Sequence, residues 1–224
     1  FTMENRQNST MGISVTGLTD DIMKYNNFAS ADQVNRTVSS NAEKNSRVSY
    51  LGRINYDFDS KYYLTMSGRY DGASNFAMNN KWGFFPSFGV KWRVSNESFF
   101  KESEVKKTIS DMGFRFSYGK SGNQGIGNYQ SLATLAPNSK GYIFGENPVL
   151  GYTQSSMDNP NLTWETSSQI DLGFDMSLWN GRLTIDVNYY KTNTKDLLLN
   201  VQIPQQTGFS SRLVNLGKTV SQGF

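Results

Sequence analysis

Between Arg47 and Val94 the sequence alternates apolar and polar residues in three successive runs. The first run shows the pattern, because Val48, Tyr50 and Ile54 fall on one face and Ser49, Arg53 and Asn55 fall on the other. A period of two predicts β-strands with one polar and one apolar face. Each run also has about the 9–11 residues that a tilted strand needs to cross a bilayer. The sequence therefore predicts membrane-crossing strands.

The alternation continues through the rest of the chain and predicts an all-β, antiparallel fold of about eight strands. Residues 1–5 read as the end of one strand. The others are expected at about 47–58, 61–71, 84–94, 112–120, 169–178, 182–189 and 212–220. Residues 95–110 combine apolar side chains with Lys and Glu, which favours a short amphipathic helix or a structured turn.

The connections between these strands fall into two classes of length. One end of the sheet is closed by the turns or short segments at 59–60, 95–110, 180–181 and 221–223, and the other end by the loops at 6–46, 72–83, 121–163 and 192–211. Short periplasmic turns and long external loops are typical of outer-membrane barrels. Aromatic residues also form two groups by height, as the girdles of such barrels do: Tyr56, Phe58, Tyr62, Trp92, Phe114 and Trp179 near the short turns, and Tyr70, Phe84, Tyr118, Trp164 and Tyr189 near the long loops.

The composition excludes several classes of function. The 224 residues include no Cys and no His, which removes disulfides, thiolate and imidazole metal ligands, and Ser-His-Asp or Cys-His catalysis. The net charge of +3 comes from scattered Lys and Arg, so no basic cluster indicates nucleic-acid binding. We expect neither an enzyme nor a metal or cofactor site. A mean hydropathy of −0.55 is compatible with membrane strands, because barrel strands alternate.

Two sets of residues are candidates for function. Charged residues on the predicted polar faces would line the lumen of a barrel: Arg53, Arg69, Lys91, Arg93, Arg115, Asp171, Asp175 and Asp186. The three aspartates would either line a polar path or simply belong to a hydrated, paired wall. Aromatic residues of the long loops would contact a ligand or a partner, or pack the loops together: Trp82, Tyr129, Tyr142, Phe144 and Tyr152.

Two other architectures fit the alternation. A soluble β-sandwich, such as a surface glycan-binding module, would bury its apolar faces against a second sheet. A small closed porin of about eight strands would need its first and last strands to pair. The length of the runs, the asymmetry of the loops and the two aromatic groups together favour the membrane barrel.

Several local motifs resemble the SusC/RagA family of TonB-dependent outer-membrane transporters. Seven segments follow in the order of that family: 71–76 (DGASNF), 81–87 (KWGFFPS), 117–124 (SYGKSGNQ), 159–166 (NPNLTWET), 186–191 (DVNYYK), 196–199 (DLLL) and 215–218 (NLGK). One departure is Asn75, where the family often carries Arg, and this puts a loop contact of that residue in doubt.

The resemblance implies a fragment of a larger protein. It covers about residues 47–224, the middle of a barrel of about 22 strands around an N-terminal plug. The plug and the terminal strands would be missing from this chain. By resemblance, the whole protein would lie in the outer membrane of a Gram-negative bacterium and import oligosaccharides or peptides. A SusD-like surface lipoprotein would cap it, and the TonB system would supply energy through the plug.

Overall fold

A computed structural model describes the backbone of residues 1–16, 36–144 and 147–224; near the second gap the side chains of 138–142, 144, 147–148 and 150 are outside the description. The strands are β1 (Thr2–Val15), β2 (Arg36–Phe58), β3 (Tyr62–Ala73), β4 (Trp82–Arg93), β5 (Ile109–Asn123), β6 (Leu135–Phe144), β7 (Asn147–Gln154), β8 (Glu165–Leu178), β9 (Leu183–Lys195), β10 (Leu198–Gln202), β11 (Ser211–Asn215) and β12 (Lys218–Gly223). The helix α1 covers Ser98–Lys101, and 3₁₀ turns cover Met78–Asn80, Val94–Asn96, Glu104–Lys107 and Gln205–Thr207.

Eight of the described strands form one antiparallel sheet in the order β1-β2-β3-β4-β5-β8-β9-β12. The remaining four form two separate hairpins, β6–β7 and β10–β11. Successive strands of the large sheet are neighbours wherever a short connection joins them, as expected for hairpin-connected strands. The predicted eight-stranded antiparallel sheet is therefore confirmed. A small closed porin would need its first and last strands to pair, whereas β1 and β12 lie at the two opposite edges of this sheet. The structure therefore does not fit that alternative.

The chain divides into two compact units. One comprises Phe1–Glu4 and Arg47–Phe224, and the other comprises Asn5–Ser46. The described residues of the second unit belong to β1 and β2, and most of their side chains are exposed. The first unit holds the candidate residues named above.

The strand register gives the large sheet two faces of different character. Ile54, Met66 and Phe88 are direct neighbours across β2, β3 and β4, and the next row pairs Asn55 with Thr65. We call these the apolar face and the polar face.

No second sheet covers the apolar face within the described residues, since the other two sheets are two-stranded hairpins. Ile54 and Leu172 remain 67% and 48% exposed there. A β-sandwich would bury these side chains, so that alternative does not fit.

The predicted short turns are present. Asp59 and Ser60 both adopt positive φ, and the Lys61 N–H donates to the Phe58 carbonyl at 3.0 Å, so the connection from β2 to β3 is a tight turn of three residues. At the second hairpin Trp179, Asn180 and Gly181 all have positive φ, so the connection from β8 to β9 is four residues long rather than two. Residues 95–110 form the predicted structured connection, built from 3₁₀ turns around α1.

Three predicted loops contain strands. In residues 6–46, β1 continues to Val15 and β2 begins at Arg36. The hairpin β6–β7 lies within 121–163, and β10 lies within 192–211. The described distal parts of β1 and β2 are exposed on both faces, so their sequences lack the alternation that marks a half-buried strand.

The predicted last strand, 212–220, is in fact two strands. β11 pairs with β10 in a hairpin, whereas β12 pairs with β9 in the large sheet. Gly217, with φ of +90°, lies at the break, in a backbone conformation that favours glycine. Among the described residues, no helix is long and apolar enough to cross a membrane.

Candidate functional site

The eight charged residues predicted to line a lumen share the polar face of the large sheet. Row by row, the register aligns Arg53 with Ser67, Lys91 with Arg115, and Asp171 with Ser117. The eight predicted residues are Arg53, Arg69, Lys91, Arg93, Arg115, Asp171, Asp175 and Asp186. Their role in a lumen stays a prediction, because the register establishes a shared face and not what faces it.

An ion-pair network joins four strands at the centre of this face. Arg115 Nη2 on β5 donates to Asp175 Oδ1 on β8 at 2.6 Å and to Asp186 Oδ2 on β9 at 3.0 Å. It also donates to Asn188 Oδ1 at 3.1 Å, and Lys91 Nζ on β4 lies 3.5 Å from Asp175 Oδ2. The two cations lie on the neighbouring strands β4 and β5 and the two carboxylates on β8 and β9, so the four charges balance. Asp175 and Asp186 are therefore ion-paired, as in a paired wall.

One member of a second ion pair, Asp111, is not apparent from the alternation of the sequence. Arg93 donates through Nε and Nη2 to the two carboxylate oxygens of Asp111, at 2.9 and 3.0 Å, and the Ser95 hydroxyl also donates to Asp111. The register of β5 shifts between Ile109 and Asp111, so simple alternation does not reveal which face Asp111 occupies. Arg69 Nε donates to Asp71 Oδ1 at 2.8 Å in a third pair.

A compact hydrophobic cluster holds the long-loop end together. It consists of Ala73, Phe76, Phe85, Ile126, Leu162 and Trp164, with Leu198 and Leu213 packed against it. The Trp164 ring lies 5.0 Å from Phe76 and 5.4 Å from Phe85 between centroids, and its Nε1 donates to the Lys81 carbonyl at 3.3 Å. Trp164 was expected in an aromatic girdle, but it is 4% exposed and belongs to this cluster.

A polar pocket of about 410 Å³ lies between the β6–β7 and β10–β11 connections. Its walls carry hydroxyl and amide groups together with two aromatic residues and one cation: Asn128, Tyr129, Gln130, Thr134, Gln154, Ser155, Ser156, Met157, Asn200, Gly208, Phe209, Ser210, Ser211, Arg212 and Leu213. Such a mixture of uncharged donors, acceptors and aromatic rings suits a polyhydroxylated or amide-bearing ligand.

Hydrogen bonds fix the walls of this pocket. The Thr134 hydroxyl is bonded to the hydroxyls of Ser155 and Ser156 at 2.8 and 2.7 Å. Arg212 Nη2 donates to the Asp158 carbonyl at 2.9 Å, and Asn159 Nδ2 donates to the Leu213 carbonyl at 2.8 Å. The pocket is therefore largely pre-formed, which reduces the entropic cost of binding.

The predicted loop aromatics are not brought together. Tyr129 lines the pocket, whereas Tyr152 on β7 is 68% exposed and does not line it. Tyr142 and Phe144 lie on β6, and their side chains are outside the described part of the chain. Whether any of these residues contacts a ligand stays a prediction.

Trp82 does not belong to a loop. It is the first residue of β4 and pairs with Gly72 on β3. Its ring stacks on Tyr70 at 4.8 Å and on Tyr50 at 6.3 Å, on the apolar face. Because β3 and β4 begin or end closer to the long loops than predicted, Trp82 lies beside Tyr70 at the long-loop end of the apolar face, where an aromatic girdle is expected.

Glu97 organises the short-turn end. Tyr62 Oη and Trp92 Nε1 both donate to its Oε1, at 2.7 and 3.0 Å, and Lys61 Nζ lies 3.8 Å from Oε2. The hydrogen bond from Tyr62, then that from Trp92, lowers the pKa of Glu97 below its ordinary value of 4.5. Lys61 likewise lowers the pKa of Asp59 in the turn.

These features define a class of protein. A sheet with one exposed apolar face and one ion-paired polar face, with short turns at one end and elaborate loops at the other, is the wall of an outer-membrane β-barrel. The family model for the TonB dependent receptor-like β-barrel matches residues 2–224, and the chain belongs to this family. Membership places it in the outer membrane and among receptors rather than enzymes.

The relatives are of the SusC/RagA kind. The chain is 39% identical to TonB-dependent receptor P26 of Formosa agariphila over 93% of its own length and 20% of that protein. It is 34% identical to TonB-dependent receptor SusC of Bacteroides thetaiotaomicron over 81% of its length and 18% of that protein. It matches the solved RagAB peptide transporter with a TM-score of 0.77 and 30% identity, covering 96% of this chain and 24% of that one. The chain thus spans about a fifth of the curated relatives it matches.

Proposed function

We propose that this chain is part of the barrel wall of an outer-membrane active transporter that imports oligosaccharides or peptides. The observation that carries the proposal is the family match over residues 2–224 together with the similarity to SusC and to the RagAB peptide transporter. The whole protein would contain an N-terminal plug and further strands, up to about 22 in all. No chemical step would occur in this chain.

The partners follow from the same relatives. A SusD-like surface lipoprotein would close the long-loop end as a lid, and the TonB system would act on the plug. Support for the lid comes from the similarity to RagAB, and the buried cluster around Leu162 and Trp164 would hold in place the loops that such a partner meets. The ion pairs around Arg115 and Asp175 would form part of the hydrated inner wall.

The pocket at the long-loop end favours a glycan over a charged ligand. Its lining holds hydroxyls and amides, with Arg212 as the one charged side chain, and Arg212 already donates to the Asp158 carbonyl. Tyr129 supplies an aromatic ring of the type that packs against sugar faces. Peptides remain the second candidate because of the similarity to RagAB.

Uptake in cells tests the proposal. A strain that lacks the chromosomal gene would express the full-length protein, and the uptake of labelled oligosaccharides and peptides would be measured with and without TonB. Uptake would also be measured with and without the SusD-like lipoprotein, and we expect it to require both this lipoprotein and TonB. Uptake that persists without TonB would identify a passive pore and contradict the proposal.

A matched pair of variants tests the pocket. Tyr129→Ala should raise the ligand concentration for half-maximal uptake roughly tenfold, equivalent to about 1.4 kcal/mol, whereas Tyr152→Ala should leave it unchanged. The barrel content of the membrane fraction would be the control for assembly. Equal behaviour of the two variants would remove the pocket from the proposed site while leaving the transporter assignment in place.

A further inference from the structure

In the described strands from Arg47 onward, the basic residues on the apolar face lie together at one corner of the large sheet. Following the register across β5, β8, β9 and β12, that face carries Lys120, Lys191, Lys195 and Lys218 at the long-loop end. In the described strands from Arg47 onward, the apolar face has no other Lys or Arg and no carboxylate.

Two of these lysines stand directly opposite each other. Lys195 on β9 pairs with Lys218 on β12, and Cβ atoms at such positions are about 5 Å apart. Like charges in this arrangement destabilise a sheet unless a counter-charge is present. Within the described residues none of the four lysines forms an ion pair, so a counter-charge from outside this part of the chain would stabilise the pair.

The lysine group borders the apolar rows of the same face. Lys191 pairs with Ile170, which pairs with Tyr118, and Ile170 is 40% exposed. From Ile170 to Leu178 the apolar rows run about 26 Å along β8, which strand tilt reduces to about 20 Å of membrane thickness. The four lysines therefore lie at the upper edge of the apolar band, where long cationic side chains reach the head-group layer.

The opposite half of the sheet lacks this feature. At the same end, β2, β3 and β4 present the stacked rings of Tyr50, Tyr70 and Trp82 to the apolar side. The cationic group is thus a local property of β5, β8, β9 and β12. It covers roughly 14 Å across the four strands, the size of a large lipid head group.

We propose that these four lysines bind the phosphoryl head group of an anionic lipid in the outer leaflet of the outer membrane. A lipid fits because one molecule carries both an anionic group for the lysines and acyl chains for the neighbouring apolar rows. Its phosphates neutralise Lys195 and Lys218, and its acyl chains cover Ile170 and Leu172, which a free anion would leave exposed. This inference depends on the membrane location and not on what is transported.

The test uses the full-length protein, purified in a neutral detergent, with three probes: diphosphoryl lipid A, the same lipid dephosphorylated, and inorganic phosphate. Native mass spectrometry measures bound lipid and a thermal scan measures Tm. The variant Lys195→Gln/Lys218→Gln is compared with Lys101→Gln/Lys106→Gln, which changes two exposed lysines at the short-turn end.

For the wild type we expect diphosphoryl lipid A to bind and to raise Tm, with little effect of the other two probes. Each lysine removed should weaken the affinity for diphosphoryl lipid A about fivefold. The affinity of Lys195→Gln/Lys218→Gln should therefore fall roughly 25-fold, and that of the control variant should not change. Without lipid, the double variant should be at least as stable as the wild type, because the like-charge pair is gone. Binding that is unchanged in the double variant, or equal for the dephosphorylated lipid, would overturn the proposal, as would an equal rise in Tm with inorganic phosphate.

Discussion

At the scale of single residues, Trp164 is the centre of the loop-end cluster. It is 4% exposed, contacts Phe76 and Phe85, and bonds to the Lys81 carbonyl. Trp164→Ala should cost about 3–5 kcal/mol locally, because it leaves a large cavity. We expect faster proteolytic cleavage of the long loops in the full-length protein, with the membrane strands intact.

The matched control for that change is Trp179→Ala, in the exposed turn between β8 and β9. This variant removes the same side chain but opens no cavity, so cleavage of the long loops should match that of the wild type. Cleavage of Trp164→Ala at the wild-type rate would show that the cluster does not hold the loops.

Glu97 predicts a pH dependence at the other end of the sheet. Folding lowers its pKa, so its contribution to stability is complete above the ordinary carboxyl range and is lost as the pH falls through the folded-state pKa. In thermal scans in detergent, the wild type should be more stable than Glu97→Gln at pH 7, and the difference should vanish at strongly acidic pH. The exposed Glu102→Gln is the control, and a difference for Glu97→Gln that does not change with pH would exclude this mechanism.

At the scale of secondary-structure elements, one glycine of β5 is fixed by the element that packs on it. A Cβ at Gly122 would overlap the Phe85 ring, whereas a Cβ at Gly119 on the same strand would have its nearest neighbour at 3.7 Å. Gly122→Ala should displace Phe85 from the cluster and cost about 1–3 kcal/mol, and Gly119→Ala should be close to neutral. Unfolding in detergent measures both, and equal stability of the two variants would contradict the packing described for Phe85.

The elements that the sequence predicted and those that it missed differ in what surrounds them. β3 and β4 have one apolar face, and their alternation identified them. β6 and β10 belong to loop hairpins outside the large sheet, and no period of two marks them in the sequence. Trp82 was predicted in a loop and lies on the apolar face, whereas Trp164 was predicted in a girdle and lies in the buried cluster. The sequence around each residue shows that it is near the long-loop end, but not whether it faces the membrane or the cluster.

Of the candidate sites, the polar-face charges could be placed on one face from alternation alone. The pocket around Tyr129 could not be predicted, because it is formed by residues from two connections that are more than 40 positions apart in the chain. The lysine group was also missed, since Lys195 and Lys218 become neighbours only through the register of β9 with β12.

At the scale of the whole molecule, the apolar face determines how the isolated chain behaves. Side chains such as Ile54 and Phe58 are more than half exposed, and β1 and β12 are edge strands. Exposed edges and a wide apolar surface promote association in water. We expect the 224-residue chain to require detergent or to aggregate, as measured by gel filtration; a monomer in detergent-free buffer that unfolds reversibly and cooperatively would contradict this expectation.

The central claim is that the apolar face contacts lipid and the polar face contacts water. The chain has no cysteine, so single cysteines for spin labels can be introduced along β4 and β5 of the full-length protein, after removal of any others. Phe88→Cys and Phe116→Cys should be accessible to oxygen dissolved in the bilayer, and Ser87→Cys and Ser117→Cys to a water-soluble nickel chelate, so that accessibility alternates with a period of two. Reversed alternation, or equal access of the water-soluble reagent to both faces, would contradict the account.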